Sequence, residues 1–314
     1  MTSSSAQSAD SGAASTTAAN ADAAPAGGTS AARSAYESLE PFHVLAYFNP
    51  GLGSAQADLD LDPHAFYVGA RGAPLGDCDP SVVISAFYNF SPGTIASGWA
   101  AATARGLDAV ADRRNRMLDD ELRAVLGPRV DDPVIAEAAD HFVAVIDGLP
   151  LAGRPLAAAW AATGAPAPDV AHLRLWHAIA VLREWRGDNH IATLVVHGLN
   201  GIDALTFHEA ELPDPSVRRR VLGQKLSLLT RGWSEEQWDN SVDGLVERGL
   251  AERTDTGHRL TADGAALYDD IEATTDALGE RTWSNPETQR MVTELRPYVK
   301  AIIDAGVLPG TRKR

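Results

Sequence analysis

Residues 231–264 read RGWSEEQWDNSVDGLVERGLAERTDTGHRLTADG. Ser234 and Gln237 have the spacing of a capping box, in which the serine side chain accepts an unpaired backbone N–H and the glutamine reaches back. A helix is therefore expected to start there. Trp238, Val242, Leu245 and Val246 fall on one face of it, and Gly249 supplies a left-handed stop. Glu252 to Leu260 then alternates loosely around Asp255-Thr256-Gly257, a hairpin-type turn, and Leu260 to Gly264 leads into another helical pattern. Upstream, Val217 to Thr230 has helical spacing through Val221, Leu222, Leu226 and Leu229, with Arg231-Gly232-Trp233 as the turn.

Helix, turn, helix, hairpin, helix is the order of a winged helix-turn-helix. The expected fold is mainly α with a small β-wing, the unit running from about Ser216 to Leu278. At 314 residues and 45% hydrophobic, the chain has material for two ordinary domains. Residues 1–36 are mostly Ala, Ser, Thr, Gly and Asp with no aromatic before Tyr36, a composition that cannot offset chain entropy, so they read as a disordered tail. Residues 37–150 then form an N-terminal helical half and 151–314 a C-terminal winged-helix half. Cys78 is the only cysteine, which excludes an intrachain disulfide and a Cys-rich metal site. With no basic start to a signal peptide and no run of about 18 apolar residues, a cytoplasmic protein with no membrane contact is expected.

The two halves share a weak repeat. An aromatic-His-x-x-Ala element occurs at Phe42 to Ala46 and at Trp176 to Ala180, Asp-Pro-Ser-Val at Asp79 and Asp214, and Arg-Gly-Leu at Arg105 and Arg248. The expectation is a tandem pseudo-repeat forming an intrachain pseudo-dimer. Its N-terminal copy lacks a wing, because Ala109 to Leu126 and Asp132 to Ile146 look like helices instead.

Arg248-Gly249-Leu250 followed by Leu260-Thr261-x-x-Gly264 resembles the MarR-type winged helix. Over about residues 39–278 the chain is also similar to an actinobacterial helix-turn-helix family of MarR-like fold. The matching residues include Leu39 to His43, Tyr67 to Gly76, Phe87 to Phe90, Gly153 to Leu156, Leu175 to His177, Arg183-Glu184, Arg186 to His190 and Arg231 to Ser234. The resemblance implies fold and membership but no particular reaction.

The densest polar cluster runs from Trp176 to His190. Gly187 reads as a helix stop and Asp188 as the cap of a following helix with His190 in its first turn, where the dipole would depress its pKa. His177 and Glu184, seven apart, share a helix face two turns from each other. The residue types suit an acid–base or anion-binding pocket, with His177 as acid–base group, Glu184 as orienter, and Arg71 with Arg183 or Arg186 as anion anchors. His190 adds a further catalytic candidate, and His43, Tyr47 and Tyr67 add ligand-binding ones. No cofactor is predicted and no metal spacing is present, though His43, His177 or His190 folding back on another would make a metal site. The implied ligand is a small anionic or aromatic molecule.

DNA binding is disfavoured. The expected recognition helix opens with Glu235, Glu236, Asp239 and Asp243 in a chain of net charge −15, and carboxylates repel phosphate. Arg218, Arg219, Arg220, Arg253 and Arg259 could hold only the backbone. Two functions fit: a ligand-responsive transcriptional regulator, or a scaffold that no longer binds DNA and serves as an enzyme or small-molecule-binding protein.

Overall fold

The computed structural model describes residues 29–214, 216–217 and 221–311. Arg218, Arg219 and Arg220 lie outside them, as does most of the expected tail. The first half is built from α1 (Ala31–Val44), α2 (Leu52–Leu59), α3 (Pro63–Gly72), α4 (Pro80–Phe87), α5 (Pro92–Arg105), α6 (Leu107–Leu126) and α7 (Pro133–Asp147). A short α8 (Pro155–Ala162) precedes the long α9 (Ala171–Val196). Then come α10 (Gly201–Glu209), α11 (Gln224–Arg231), α12 (Glu235–Glu247), the strands β1 (Ala251–Thr254) and β2 (Gly257–Leu260), α13 (Ala262–Trp283), α14 (Pro286–Glu294) and α15 (Arg296–Asp304).

Many helix starts follow from a polar residue before proline. Asp62, Asp79, Asp132 and Asn285 each accept a first-turn N–H, and the following proline takes the position whose N–H would be unpaired. The tail is shorter than its composition suggested, since α1 begins at Ala31 with Ser30 as cap. Small side chains are what this helix needs: Ala32 and Ala35 are buried, and Arg33 pairs with Glu272 and Asp276 of α13.

The capping box forms in both directions, and Trp238, Val242 and Leu245 are buried while Val246 stays exposed. The strands pair antiparallel from Ala251↔Leu260 to Thr254↔Gly257. The helix expected over Val217 to Thr230 is shorter, because α11 starts only at Gln224, after a positive-φ glycine at 223. Its Val221 and Leu222 lie exposed outside the helix.

The larger correction concerns α9, which runs unbroken through Gly187. A glycine inside a helix costs about 1 kcal/mol, whereas each large apolar side chain buried contributes about 1.5–3 kcal/mol. Leu175, Trp176, Ile179, Val181, Leu182, Trp185 and Leu194 of α9 are all buried, so packing decides. Asp188 does cap a helix, but it is α8, whose Ala157 N–H it accepts at 2.9 Å.

The main core joins Phe42, Trp99, Phe142, Trp176, Trp283 and Ile302, and α14 and α15 return to pack on α7, α1 and α6. A division at residue 150 therefore cuts through one core. A second core under the hairpin gathers Leu194, Phe207, Leu245, Leu260 and Ile271. Among the described residues no helix is long and apolar enough to cross a membrane.

The turn between α11 and α12 docks on the turn between α4 and α5. Ser91 N–H donates to the Arg231 carbonyl at 2.8 Å, and the Trp233 indole donates to the Asn89 carbonyl at 2.9 Å. Gly232 permits this approach: a Cβ there would stand 1.9 Å from Thr94 Oγ1. The repeat markers behave unequally. Asp79 starts α4, whereas Asp214 makes the same local bond to Ser216 with no helix at Val217.

Candidate functional site

Helix α9 carries the polar centre. Arg71 of α3 meets Glu184 through two 2.7 Å hydrogen bonds, Nε to Oε1 and Nη2 to Oε2. Glu184 is almost fully buried, and burial alone would raise its pKa. The charge and hydrogen bonds of Arg71 outweigh that and hold the carboxyl below its ordinary value. Glu184 in turn raises Arg71 against the opposing effect of burial, so both groups are charged.

An aromatic wall surrounds this pair. The Arg71 guanidinium lies 4.6 Å from the Phe87 ring centre and 3.4 Å from the Tyr67 hydroxyl. Tyr67 stacks on Phe90 at 5.5 Å and meets Tyr47 edge-on at 5.1 Å. Tyr47 is partly buried, its hydroxyl fully so and unpartnered, and burial followed by the Glu184 charge raises its pKa. The guanidinium of Arg231, the last residue of α11, lies 4.5 Å from the centre of the Phe90 ring. It has no carboxylate partner among the described residues, its Nε is unpartnered, and burial lowers its pKa.

His43 stacks on Trp176 with rings 3° apart, and burial lowers its pKa to about 4. Its Nδ1 is buried without a partner. Beside it, between α1, α9 and α13, a cavity of about 20 Å³ is lined by Tyr36, Glu40, His43, Arg183, Arg186 and Trp283. That volume holds roughly one water, so any larger ligand requires the helices to part.

The expected acid–base pair is not assembled. Both oxygens of Glu184 are taken by Arg71, while His177 Nε2 meets Thr163 Oγ1 at 3.1 Å. That hydroxyl already donates to the Trp160 carbonyl, so the imidazole N–H donates to it. Burial, then the Arg114 charge, lowers His177 to about 4. Seven residues on a helix separate these side chains by about 10 Å.

The anion anchors are likewise engaged. Arg183 bonds Glu40 at 2.9 Å, and Arg186 bonds Asp276 at 3.1 Å and Glu272 at 3.3 Å. His190 sits mid-helix rather than in a first turn. Its pKa does fall, to about 3, with burial as the largest cause and the neighbouring His208 second, not a helix dipole. One nitrogen of His190, one of His208 and one oxygen of Glu272 lie within 4.8 Å of one another, a grouping no local spacing announces.

On the outer face of α12, Glu235, Glu236, Asp239, Asn240 and Asp243 are exposed. Arg253 of the hairpin bonds Asp243 at 2.8 Å and Arg259 bonds Glu211 at 3.3 Å, so the two hairpin arginines expected at DNA face acids of their own chain. Such surface pairs are weak, and a phosphate could compete for them, but the carboxylates would remain.

A family model described as a helix-turn-helix family matches residues 32–309, and the chain belongs to that family. No curated protein and no solved structure matches the chain.

Proposed function

We propose that this member of the helix-turn-helix family is a MarR-like winged-helix protein that binds a small aromatic anion, at a site walled by Tyr47, Tyr67, Phe87 and Phe90. The observation that carries the reading is Arg231: a mostly buried guanidinium with no carboxylate in ion-pair contact among the described residues, over the Phe90 ring of the aromatic cluster that also holds Arg71. A mostly buried cation with no carboxylate in contact, only the more distant charge of Glu209, is costly, and an anionic ligand would relieve that cost. The unpartnered Tyr47 hydroxyl and His43 Nδ1 are further groups for it to satisfy. The ring stacking and guanidinium–aromatic contacts favour an aromatic body. The closed packing requires that binding open the site, as a minor state drawn out by the ligand.

In this reading α4–α5 is the degenerate counterpart of α11–α12, and the facing turns are the pseudo-dimer contact. Docking of the α11–α12 turn on Asn89 and Ser91 is consistent with it. The acids on α12 argue against that helix as a reader of bases.

Thermal unfolding with benzoate as probe and chloride as control tests the site. Benzoate should raise the melting temperature of the wild type and not of Arg231→Met; an equal shift in both would sink the proposal. A regulator remains the second reading, favoured by Arg231 belonging to the helix-turn-helix itself, so that a ligand there would act on α11 directly. Gel shift on the protein's own upstream DNA across a salt series separates the two. Binding that persists at physiological salt supports the regulator, and complete loss supports the non-DNA scaffold.

A further inference from the structure

We propose that His190, His208 and Glu272 form a binding site for a first-row divalent metal ion, with zinc the best match to two imidazoles and one carboxylate. Three helices supply the ligands: α9, α10 and α13. One atom from each lies within 4.8 Å of the other two, a spread that modest side-chain movement contracts onto a single ion. The inference is independent of the aromatic-anion site.

The hydrogen bonds point the same way. His208 Nδ1 lies 2.8 Å from the Ala204 carbonyl. A carbonyl only accepts, so Nδ1 carries the hydrogen, and in the neutral ring Nε2 presents a lone pair. That atom is buried with no hydrogen-bond partner, and it faces Glu272 Oε1 at 3.6 Å. With the ring neutral, two acceptors thus oppose each other, an arrangement that either a proton on Nε2, giving an ion pair with Glu272, or a metal ion between them stabilises. His190 Nδ1 stands 4.0 Å from the same oxygen, but the Thr275 hydroxyl donates to the Ile271 carbonyl, so Nδ1–H donates to Thr275 Oγ1 at 3.0 Å and an ion would take Nε2, or Nδ1 once that bond is given up.

The surroundings resemble the outer shell of a metal centre. The Ala204 carbonyl orients one imidazole, and Arg33 and Arg186 hold the other oxygen, Oε2, of Glu272. Those two guanidiniums are balanced by Glu272 and Asp276, so the arriving cation meets no excess positive charge from them. The three side chains are 17–26% exposed, which leaves a path for the ion and room for a further ligand such as water. Three protein ligands plus an open position is the pattern of an exchangeable zinc site. Helix α10 is also bonded to α12, through Ser241 with Asp203 at 2.6 Å and with Thr206 at 2.8 Å. The ion would therefore brace the helix-turn-helix against α9 and α13.

The test uses the full chain, stripped with chelator and titrated with zinc by calorimetry, and with cobalt by visible absorption. The expected result is one ion per chain, a raised melting temperature, and a cobalt spectrum carrying imidazole ligation. His208→Gln should weaken binding by at least about tenfold. His197→Gln, a control at a half-buried histidine paired with the exposed Asp270, should not. Glu272→Gln leaves two arginines without this partner and so confounds binding with folding; the His208 variant and the wild-type cobalt spectrum carry the decision. Absence of binding, or equal affinity and identical cobalt spectra in wild type and His208→Gln, would overturn the site and leave His208 and Glu272 a simple ion pair.

Discussion

Arg71 and Glu184, 113 positions apart, clasp through two parallel hydrogen bonds of 2.7 Å and tie α3 to the middle of α9. Because Glu184 is 2% exposed and Arg71 15%, neither charge can turn to water if the other is removed. Glu184→Gln should therefore cost about 3–5 kcal/mol in urea unfolding, whereas the double change Arg71→Met with Glu184→Leu should cost clearly less. Equal losses in both would mean that packing, not charge, holds this contact.

Acid should destabilise the protein through its buried imidazoles, against a smaller opposite contribution from Asp188, whose carboxyl burial raises to about 6. His43 and His177 are held to about 4 and His190 to about 3, against 6.5 for an ordinary imidazole. Between those values the unfolded chain binds more protons than the folded one. Stability is then full above about pH 6.5 and declines as pH falls toward 4, by several kcal/mol in total. Denaturant titrations across that range check the slope, which His177→Phe should flatten.

Gly232→Ala should loosen the contact between the two turns. Its φ of 74° is unfavourable for alanine, and the new Cβ would overlap Thr94 Oγ1. A loss of roughly 1–3 kcal/mol is expected. Placing it on a Thr94→Ala background, which removes the overlapping hydroxyl, should recover part of that loss in a thermal-melt double-mutant cycle.

Neutralising α12 should raise the affinity for DNA above that of the wild type. Replacing Glu235, Glu236, Asp239 and Asp243 by their amides removes four carboxylates and frees Arg253 from its partners. The variant should bind random duplex with a steep salt dependence in fluorescence anisotropy. Binding no stronger than wild type would show that these acids do not face the duplex.

The capping box at Ser234 and the hairpin at Asp255 to Gly257 were legible because each is satisfied by atoms within a few residues, whereas the aspartate–proline helix starts, equally local, went unread. Helix α6 was read within two residues of its start, and α7 within one at each end. The tail boundary and the break at Gly187 were misread for a common reason. Local propensity is worth about 1 kcal/mol per residue, and neighbours distant in sequence supply more. Ala32 and Ala35 are unremarkable until α13 lies against them, and Gly187 reads as a stop until the surrounding helices enclose α9.

At the polar centre, the sequence by itself determined which residue types are concentrated there: His43, Tyr47, Tyr67, Arg71, His177, Arg183, Glu184, Arg186 and His190 all lie in or beside the core. Only the tertiary structure decided their partners. It paired Arg71 with Glu184 rather than leaving both for a substrate, set His177 on Thr163, turned Arg231 inward, and brought His208 and Glu272 to His190. Hydrogen bonds and ion pairs act over about 3–4 Å. A sequence fixes such distances along one helix, but the contacts that define this site link α1, α3, α9, α10 and α13, and their separations exist only once the core has packed.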